Sequence, residues 1–341
     1  MNYRSCEHLE LNCMFFHGKL DNDRNVVNFC CTNQANNLSV ELLENPAETL
    51  ENYKTRRNEI IMESKRIALT GKPSTPPNQY HAACTRCHDF CEKNWPKGSE
   101  SRINYILYGV TPAPCQSKCI YCSQQVEKRR KYNHSTDAKG HELVFKTIEY
   151  MKEMKMISSK VLWETASGEI TAHPFRERVY TIIGNERAGW LTNCFIFDKN
   201  IGNNLKNNVE SYILFSMDAG TKETWNKIKG VDNFNAVLEN VENYSKIAAN
   251  AGQIRLKYLL MPGINDNIED FALFVEITKN LKIPSVILSC NRYTEVSDNH
   301  IKSAGTMLAL LRKNNIKAAL HMFSKPQQLE ALKFASVLYK N

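Results

Sequence analysis

From residue 102 onward, short apolar runs alternate with longer amphipathic segments, and this alternation limits the folds open to the chain more than any other feature. Ile103–Val110 reads as a strand and Leu143–Met156 as a helix. Further strands are expected at Lys160–Thr165, Gly189–Phe197, Ser211–Met217, Gln253–Met261, Ser285–Cys290 and Lys317–Met322. Helices fall between them at Pro174–Ile183, Ile201–Asn207, Lys222–Asn250 (with a break near Gly230), Ile268–Leu281 and Asn299–Lys313, and Gln327–Leu338 comes last. In Ile268–Leu281 the residues Ile268, Phe271, Phe274, Val275, Ile277 and Leu281 fall mostly on one face, as a helix covering a sheet requires. Strands and helices in turn make a parallel sheet with crossover helices. The fold class expected is therefore α/β. A partial (β/α)6-7 barrel of the TIM type fits better than a doubly wound sheet, because residues with chemistry recur where strands end. They are the cysteines after Val110, Gly168-Glu169 after the second strand, Thr192-Asn193 in the third and Asp218 after the fourth.

The cysteines carry the chemistry. The chain has 341 residues and 12 cysteines, ten of them in the first 122 residues; only Cys194 and Cys290 follow. A secreted disulfide scaffold is short and evenly stapled, whereas bunched thiols in a long chain read as metal or cluster ligands. The start, Met1-Asn-Tyr-Arg-Ser-Cys-Glu-His8, has no apolar region of the kind a secretory signal needs. No run approaches the roughly 18 apolar residues that span a bilayer. The expectation is a cytoplasmic protein with no membrane partner. The formal charge of +8 counts every thiol as neutral; each ligating thiolate removes one unit, so the charge is no argument for nucleic acid.

Cys115-Gln-Ser-Lys-Cys119-Ile-Tyr-Cys122 is a C-x3-C-x2-C loop directly after the first strand. Three thiolates on one short loop suit three irons of a [4Fe–4S] cube and leave the fourth iron open. Structural zinc usually takes four ligands in two pairs. In this loop, in Tyr121 before its last cysteine, and in the strand before it, the chain resembles the radical SAM superfamily. The resemblance runs over about residues 102–320. It takes in Ala166-Ser-Gly168-Glu169 where the family carries a motif that grips the methionine amino group, although the usual preceding Gly and following Pro are missing. It also takes in Ser216-Met-Asp218 and Leu260-Met261-Pro-Gly-Ile264-Asn265, where the family places ribose, substrate and adenine contacts.

The resemblance implies that Cys115, Cys119 and Cys122 hold the cube. Tyr121, Gly168, Glu169, Asn193, Ser216, Asp218 and Met261 would then surround S-adenosylmethionine (SAM). Reductive cleavage of SAM would supply a 5′-deoxyadenosyl radical that takes a hydrogen atom from the substrate, with an external donor such as flavodoxin or ferredoxin providing the electron.

Residues 1–98 read as a separate cysteine-rich domain before the barrel at 99–341. Residues 47–70 look helical, and Gly71–Pro77 stops that helix. Cys84, Cys87 and Cys91 form a dense group beside His81 and His88. The expectation is one or two auxiliary [4Fe–4S] clusters, with these three as ligands and one of Cys6, Cys30 or Cys31 as a fourth; zinc is the alternative. Cys13 reads as a packed thiol. Auxiliary-cluster domains of radical SAM enzymes usually follow the barrel, so this order departs from the common one.

Cys290, ending the sixth strand, is the candidate catalytic thiol: returning a hydrogen atom to a substrate radical would make the enzyme an epimerase. A buried core thiol is the competing reading. Arg255 and Lys257 alternate on one strand and, with Arg292, are placed to hold an anionic substrate or to pair with Asp218 or Glu169. Trp163 and Glu164 are expected at the barrel mouth. Lys128–Lys131 reads as a solvated charged run. The function expected is oxidation (dehydrogenation) or epimerisation of a small molecule or sugar. Alternatives are maturation of a ribosomally made peptide by cross-linking or epimerisation, tRNA modification, and a non-enzymatic zinc or electron-transfer module. Peptide maturases often carry a β-rich leader-binding domain, and the sequence gives no sign of such a segment.

Overall fold

The computed structural model describes all residues except 1, 21–23, 31–37, 86, 88, 96–101, 110–112, 123–133, 167, 292–293 and 341. Cys31, His88, Arg292 and the Lys128–Lys131 run therefore lie outside the described residues. The chain forms two compact units. One comprises Met1–Ala113 and Lys131–Gly168, the other Pro114–Arg130 and Glu169–Asn341.

In the first unit, β1 (Asn2–Ser5) leads into the single turn α1 (Glu7–Glu10), then β2 (Cys13–Leu20), β3 (Arg24–Asn28) and β4 (Val40–Glu41). The helix α2 (Pro46–Thr70) is bounded by local chemistry. The Asn45 side chain accepts from the Ala47 amide at 3.1 Å, Pro46 occupies the first turn, and Gly71 ends the helix in the left-handed region at φ 69°. There follow α3 (Gln79–Cys84), β5 (Cys91–Asn94), β6 (Ile103–Gly109), α4 (His134–Glu153) and β7 (Ile157–Thr165). The sheet order is β7–β6–β2–β3–β4, with β5 paired antiparallel to β1 apart from it. β2 runs parallel to β6, and β6 parallel to β7; β3 and β4 return antiparallel.

Among the described residues the first 98 thus hold five strands, and the expectation of no β-rich segment there is corrected. The physical reason is burial on both faces. Cys13, Met14, Phe15 and Phe16 are all buried in β2, so the segment has a continuous apolar run where a half-buried strand would alternate. The pairing of β2 with β6 also crosses residue 98, where composition changes.

In the second unit, helices and strands alternate except for one pair of successive helices: α5 (Arg176–Ile183), β8 (Ala188–Leu191), α6 (Lys199–Asn207), β9 (Tyr212–Ser216), α7 (Lys222–Lys229), α8 (Phe234–Ile247), β10 (Ile254–Leu260), α9 (Ile268–Asn280), β11 (Ser285–Cys290), α10 (Asp298–Lys313), β12 (Lys317–His321) and α11 (Lys325–Lys340). Strands β8 to β12 neighbour one another in chain order, and every pair is parallel. The α/β class and the mostly parallel sheet are as expected. The α7–α8 break falls at Gly230, a left-handed cap with φ 67°.

One expected strand is shorter. Gly189–Phe197 leaves the ladder at Leu191 because the next residues bond sideways to a buried carboxylate, described below. Cys194 is therefore not mid-strand; it lies in that turn at φ 56°, fully buried.

The helix-covered face of this sheet is defined by Tyr258. Its hydroxyl donates to Asp270 Oδ2 at 2.6 Å, and its ring meets Phe271 and Phe274 edge-on, all on α9. Leu256 and Leu260 share that face with it, while Arg255, Lys257 and Leu259 point the other way. Among the described residues no helix is long and apolar enough to cross a membrane.

Candidate active site

The cysteine loop is built onto the end of α7. A helix leaves its last carbonyls without intrahelical partners. Here the amide of Lys118 donates to the Lys229 carbonyl at 2.8 Å and that of Ile120 to the Ile228 carbonyl at 3.0 Å. Gly230 makes the approach possible: a Cβ there would sit 3.0 Å from Lys118 Cβ and 3.3 Å from its carbonyl oxygen. Ser117 Oγ lies 2.9 Å from Cys119 Sγ, and the Cys122 amide donates to the Cys119 carbonyl at 3.1 Å.

Tyr121 turns inward from the same loop. Its ring packs on Ile228, Leu259 and Met261, and its hydroxyl donates to Asp218 Oδ2 at 2.6 Å. Lys229 Nζ donates to that same oxygen at 2.6 Å and to the tyrosine oxygen at 2.8 Å. Asp218 Oδ1 accepts from the Leu259 amide at 2.7 Å. Asp218 is held at φ 57°. Asn265 Nδ2 donates to the Asp218 carbonyl at 2.9 Å, and nearby Gly220 passes so close to α9 that a Cβ would lie 1.9 Å from the Asp270 carbonyl oxygen. Burial raises the Tyr121 hydroxyl well above its usual range, and the Asp218 carboxylate adds to the rise. Tyr121 therefore stays a donor to Asp218.

A second tie holds the start of the loop. The Glu169 amide donates to the Pro114 carbonyl at 2.9 Å, and its carboxylate is buried. Oε1 accepts from the Thr171 amide (3.1 Å), Thr171 Oγ1 (2.9 Å) and Thr192 Oγ1 (2.7 Å), while Oε2 accepts from the Asn193 amide at 2.6 Å. Burial raises the Glu169 carboxyl, and these donors pull the other way. Asn193, fixed by that bond, extends Nδ2 to 3.3 Å from Gln116 Oε1 and 3.8 Å from Cys115 Sγ.

The seven residues expected around SAM thus divide. Asn193 and Tyr121 stand at the cysteine loop, and Met261 lies under the Tyr121 ring. Gly168 takes the left-handed conformation, φ 64°, that turns the chain into Glu169. The carboxylates of Glu169 and Asp218, both expected at the cofactor, have all four of their oxygens bonded within the protein. They anchor the loop. Ser216 ends β9 opposite Lys257 of β10. Sequence reading missed Lys229 as the partner of the Asp218 carboxylate, and it gave Thr192 and Asn265 no bond to Glu169 or to the Asp218 carbonyl, because only the fold brings them there. The Gly230 cap directly after Lys229 was the one local sign.

Cys290 is placed differently from expectation. It pairs with Leu260, while Ser289 pairs with Leu259. Cys290 therefore shares the helix-covered face with Leu288 and is buried; burial pushes its thiol up to about 12. This is the placement of a core thiol, and Ser289 takes the opposite face. Trp163 is buried rather than at a mouth, and Glu164 accepts from the Tyr105 hydroxyl. Arg255 and Lys257 do not pair with Asp218 or Glu169. Arg255 lies 3.6 Å over the Tyr212 ring, and burial lowers the Lys257 ammonium.

Among the described residues, no three Cys, His, Asp or Glu side chains meet closely enough to hold a single metal ion. Cys119 and Cys122 nevertheless lie close enough to Cys115 to act on its thiol electrostatically. Their donor chemistry is all thiol, on one loop, with Cys115 exposed. Such a set fits a cube that takes one thiolate per iron better than it fits a single ion.

Residues 113–275 match the model of the radical SAM superfamily, and the chain carries a radical SAM domain over that stretch. The cofactors of that family are a [4Fe–4S] cluster and SAM. Similar solved structures include Streptococcus suis SuiB, 11% identical, covering 97% of this chain and 73% of that one with a TM-score of 0.47. The same enzyme bound to the precursor peptide SuiA is 10% identical, with coverages of 98% and 75% and a TM-score of 0.48. A radical SAM methyltransferase from Sphaerobacter thermophilus is 12% identical, with coverages of 64% and 66% and a TM-score of 0.44. Comparison with curated proteins gives no match.

Proposed function

We propose that the chain is a radical SAM oxidoreductase that removes a hydrogen atom from an anionic organic substrate, a small molecule or sugar acid, and leaves it oxidised. The observation that carries this reading is the cysteine loop itself. Its three thiols sit on a short segment fixed at both ends, by Glu169 at Pro114 and by α7, Tyr121 and Asp218 further along. Cys115, Cys119 and Cys122 would hold the cluster. When bound, the cluster and SAM supply a 5′-deoxyadenosyl radical and thereby the power to break an unactivated C–H bond.

The residues of the chain supply position and charge. Asn193 reaches Cys115 and would orient whatever lies beside that thiol. The sheet face opposite α9 carries Arg255, Lys257 and His321, with Ser216 and Ser289 on neighbouring strands. Lys257 lies within electrostatic reach of Asp218 and Lys229 on one side and of His321 on the other. Such a row suits a carboxylate or phosphate on the substrate. Oxidation is favoured over epimerisation because Cys290, the thiol an epimerase would use as hydrogen donor, lies on the helix-covered face.

The test is anaerobic reconstitution with iron and sulfide, then dithionite and SAM with detection of 5′-deoxyadenosine. The parent protein should release the nucleoside, and Cys119→Ala should release none. Release that survives Cys119→Ala, or a loaded parent that never releases it with anionic substrates present, would overturn the reading.

A further inference from the structure

The first unit holds a second group of thiols that the Cys115 loop does not involve. Cys84 ends α3, and the Cys87 amide donates back to its carbonyl at 3.0 Å, so both thiols stand on one tight turn. The Phe90 amide donates to the Cys87 carbonyl at 3.2 Å, and Arg4 Nη2 donates to the Phe90 carbonyl at 2.8 Å. That fastens the turn to β1, whose last residue Ser5 pairs with Cys91 and whose next residue is Cys6. Cys30 arrives from a third direction, two residues past β3, behind Phe29 packed against Tyr53 of α2.

Cys6 and Cys84 each feel Cys30 and Cys87, and Cys84 feels Cys6. Beside them lies His17, whose buried Nε2 has no hydrogen-bond partner among the described residues and which feels Cys30. Cys91 is exposed, and Cys13 lies buried in β2.

We propose that Cys6, Cys30, Cys84 and Cys87 together hold an iron–sulfur cluster, a second metal centre independent of the Cys115 loop. The ligand set differs from the one that spacing suggests. Cys91, grouped with Cys84 and Cys87 in the sequence, is left outside, and Cys6 and Cys30 complete the four. The thiols come from three separated segments and do not converge on a single-ion point. A four-iron cube takes one thiolate at each corner and accommodates that spread, whereas tetrahedral zinc needs its sulfurs about 2.3 Å from one centre. With four thiolate corners the cube has no open iron to hold a substrate, and its chemistry is one-electron transfer. The site rests on these residues alone, whatever the reaction at the Cys115 loop.

The experiment uses the full chain with Cys115, Cys119 and Cys122 all changed to Ala. After anaerobic reconstitution this variant should retain about four irons and four sulfides per chain, as one cube requires, and give an S = 1/2 resonance on dithionite reduction. Iron near zero, or zinc retained in its place, would overturn the proposal. Ligand identity is then read without further mutation, by alkylating the folded, loaded protein anaerobically and mapping the modified peptides. Cys6, Cys30, Cys84 and Cys87 should be protected until a chelator bleaches the cluster, while Cys91 is modified from the start. Early modification of any of the four, or protection of Cys91 in place of one, would overturn the assignment.

Discussion

Asp218 and Lys229 meet at 2.6 Å with their side chains 0% and 5% exposed, and Tyr121 of the cysteine loop bonds to both. A buried pair contributes little net stability, because desolvation offsets the attraction; removing one partner is costly, because a charge is left unpaired. Lys229→Met should therefore destabilise the protein by about 3–5 kcal/mol. The double variant Asp218→Asn with Lys229→Met should recover part of that loss. Denaturant unfolding measures both. Additive losses would mean that the two side chains do not act as a pair.

The same triad predicts how firmly the loop is held. Tyr121→Phe keeps the ring on Leu259 and Met261 but removes the hydroxyl between Asp218 and Lys229. The cost should be about 1–3 kcal/mol, that of leaving buried polar groups short of a partner. Iron should still load at the Cys115 loop, but a chelator should strip it faster than from the parent. Equal stripping rates would detach Tyr121 from the loop's rigidity.

Glu169→Gln tests the other tie. All the groups around the carboxylate are donors, so a glutamine must aim its own NH2 at one of them. Losing one good acceptor should cost about 1–3 kcal/mol, and hydrogen exchange should quicken at the Thr171 and Asn193 amides in particular. A uniform change across the chain would point to general destabilisation instead.

The elements were legible wherever local chemistry decides them. Asn45, Pro46 and Gly71 bound α2, Gly230 divides α7 from α8, and Ser285–Cys290 matches its strand end to end. What the sequence leaves open is set by partners far along the chain. β2 carries no alternation because both of its faces are buried. Glu169 and Asp218 read as cofactor contacts, and only the fold shows Thr192, Asn193, Lys229 and Leu259 within bonding distance of them. Which of Ser289 and Cys290 faces away from the helices depends on register with β10, and a strand alone does not show its register. The N-terminal thiols form a group in sequence by spacing, whereas topology decides which of them can meet in space.

Glu63 offers a pH test of how the first unit is braced. Arg66 donates to both of its oxygens, and the Ser74 amide donates to Oε1 at 2.8 Å, which holds the Gly71–Pro77 link against α2. The Arg66 guanidinium bonds lower this carboxyl to about 2. A group depressed on folding contributes stability above its unfolded value, and that contribution is lost as pH falls toward the folded value. Glu63→Gln should thus be less stable than the parent at pH 7, and the gap between their melting temperatures should close as pH drops from about 4.5 to about 2. A gap unchanged across that window would assign the loss to packing instead of the charge.

The last prediction concerns Cys290. Its register with Leu260 puts the thiol among core side chains, and burial keeps it protonated at neutral pH. Cys290→Ala should cost about 1 kcal/mol through the small void it leaves. It should leave both 5′-deoxyadenosine release and product formation unchanged, and the parent turning over in heavy water should put no solvent deuterium at the reacting carbon. A variant that still releases nucleoside but makes no product, together with deuterium uptake by the parent, would return Cys290 to the role of hydrogen donor. It would then turn the reaction from oxidation to epimerisation.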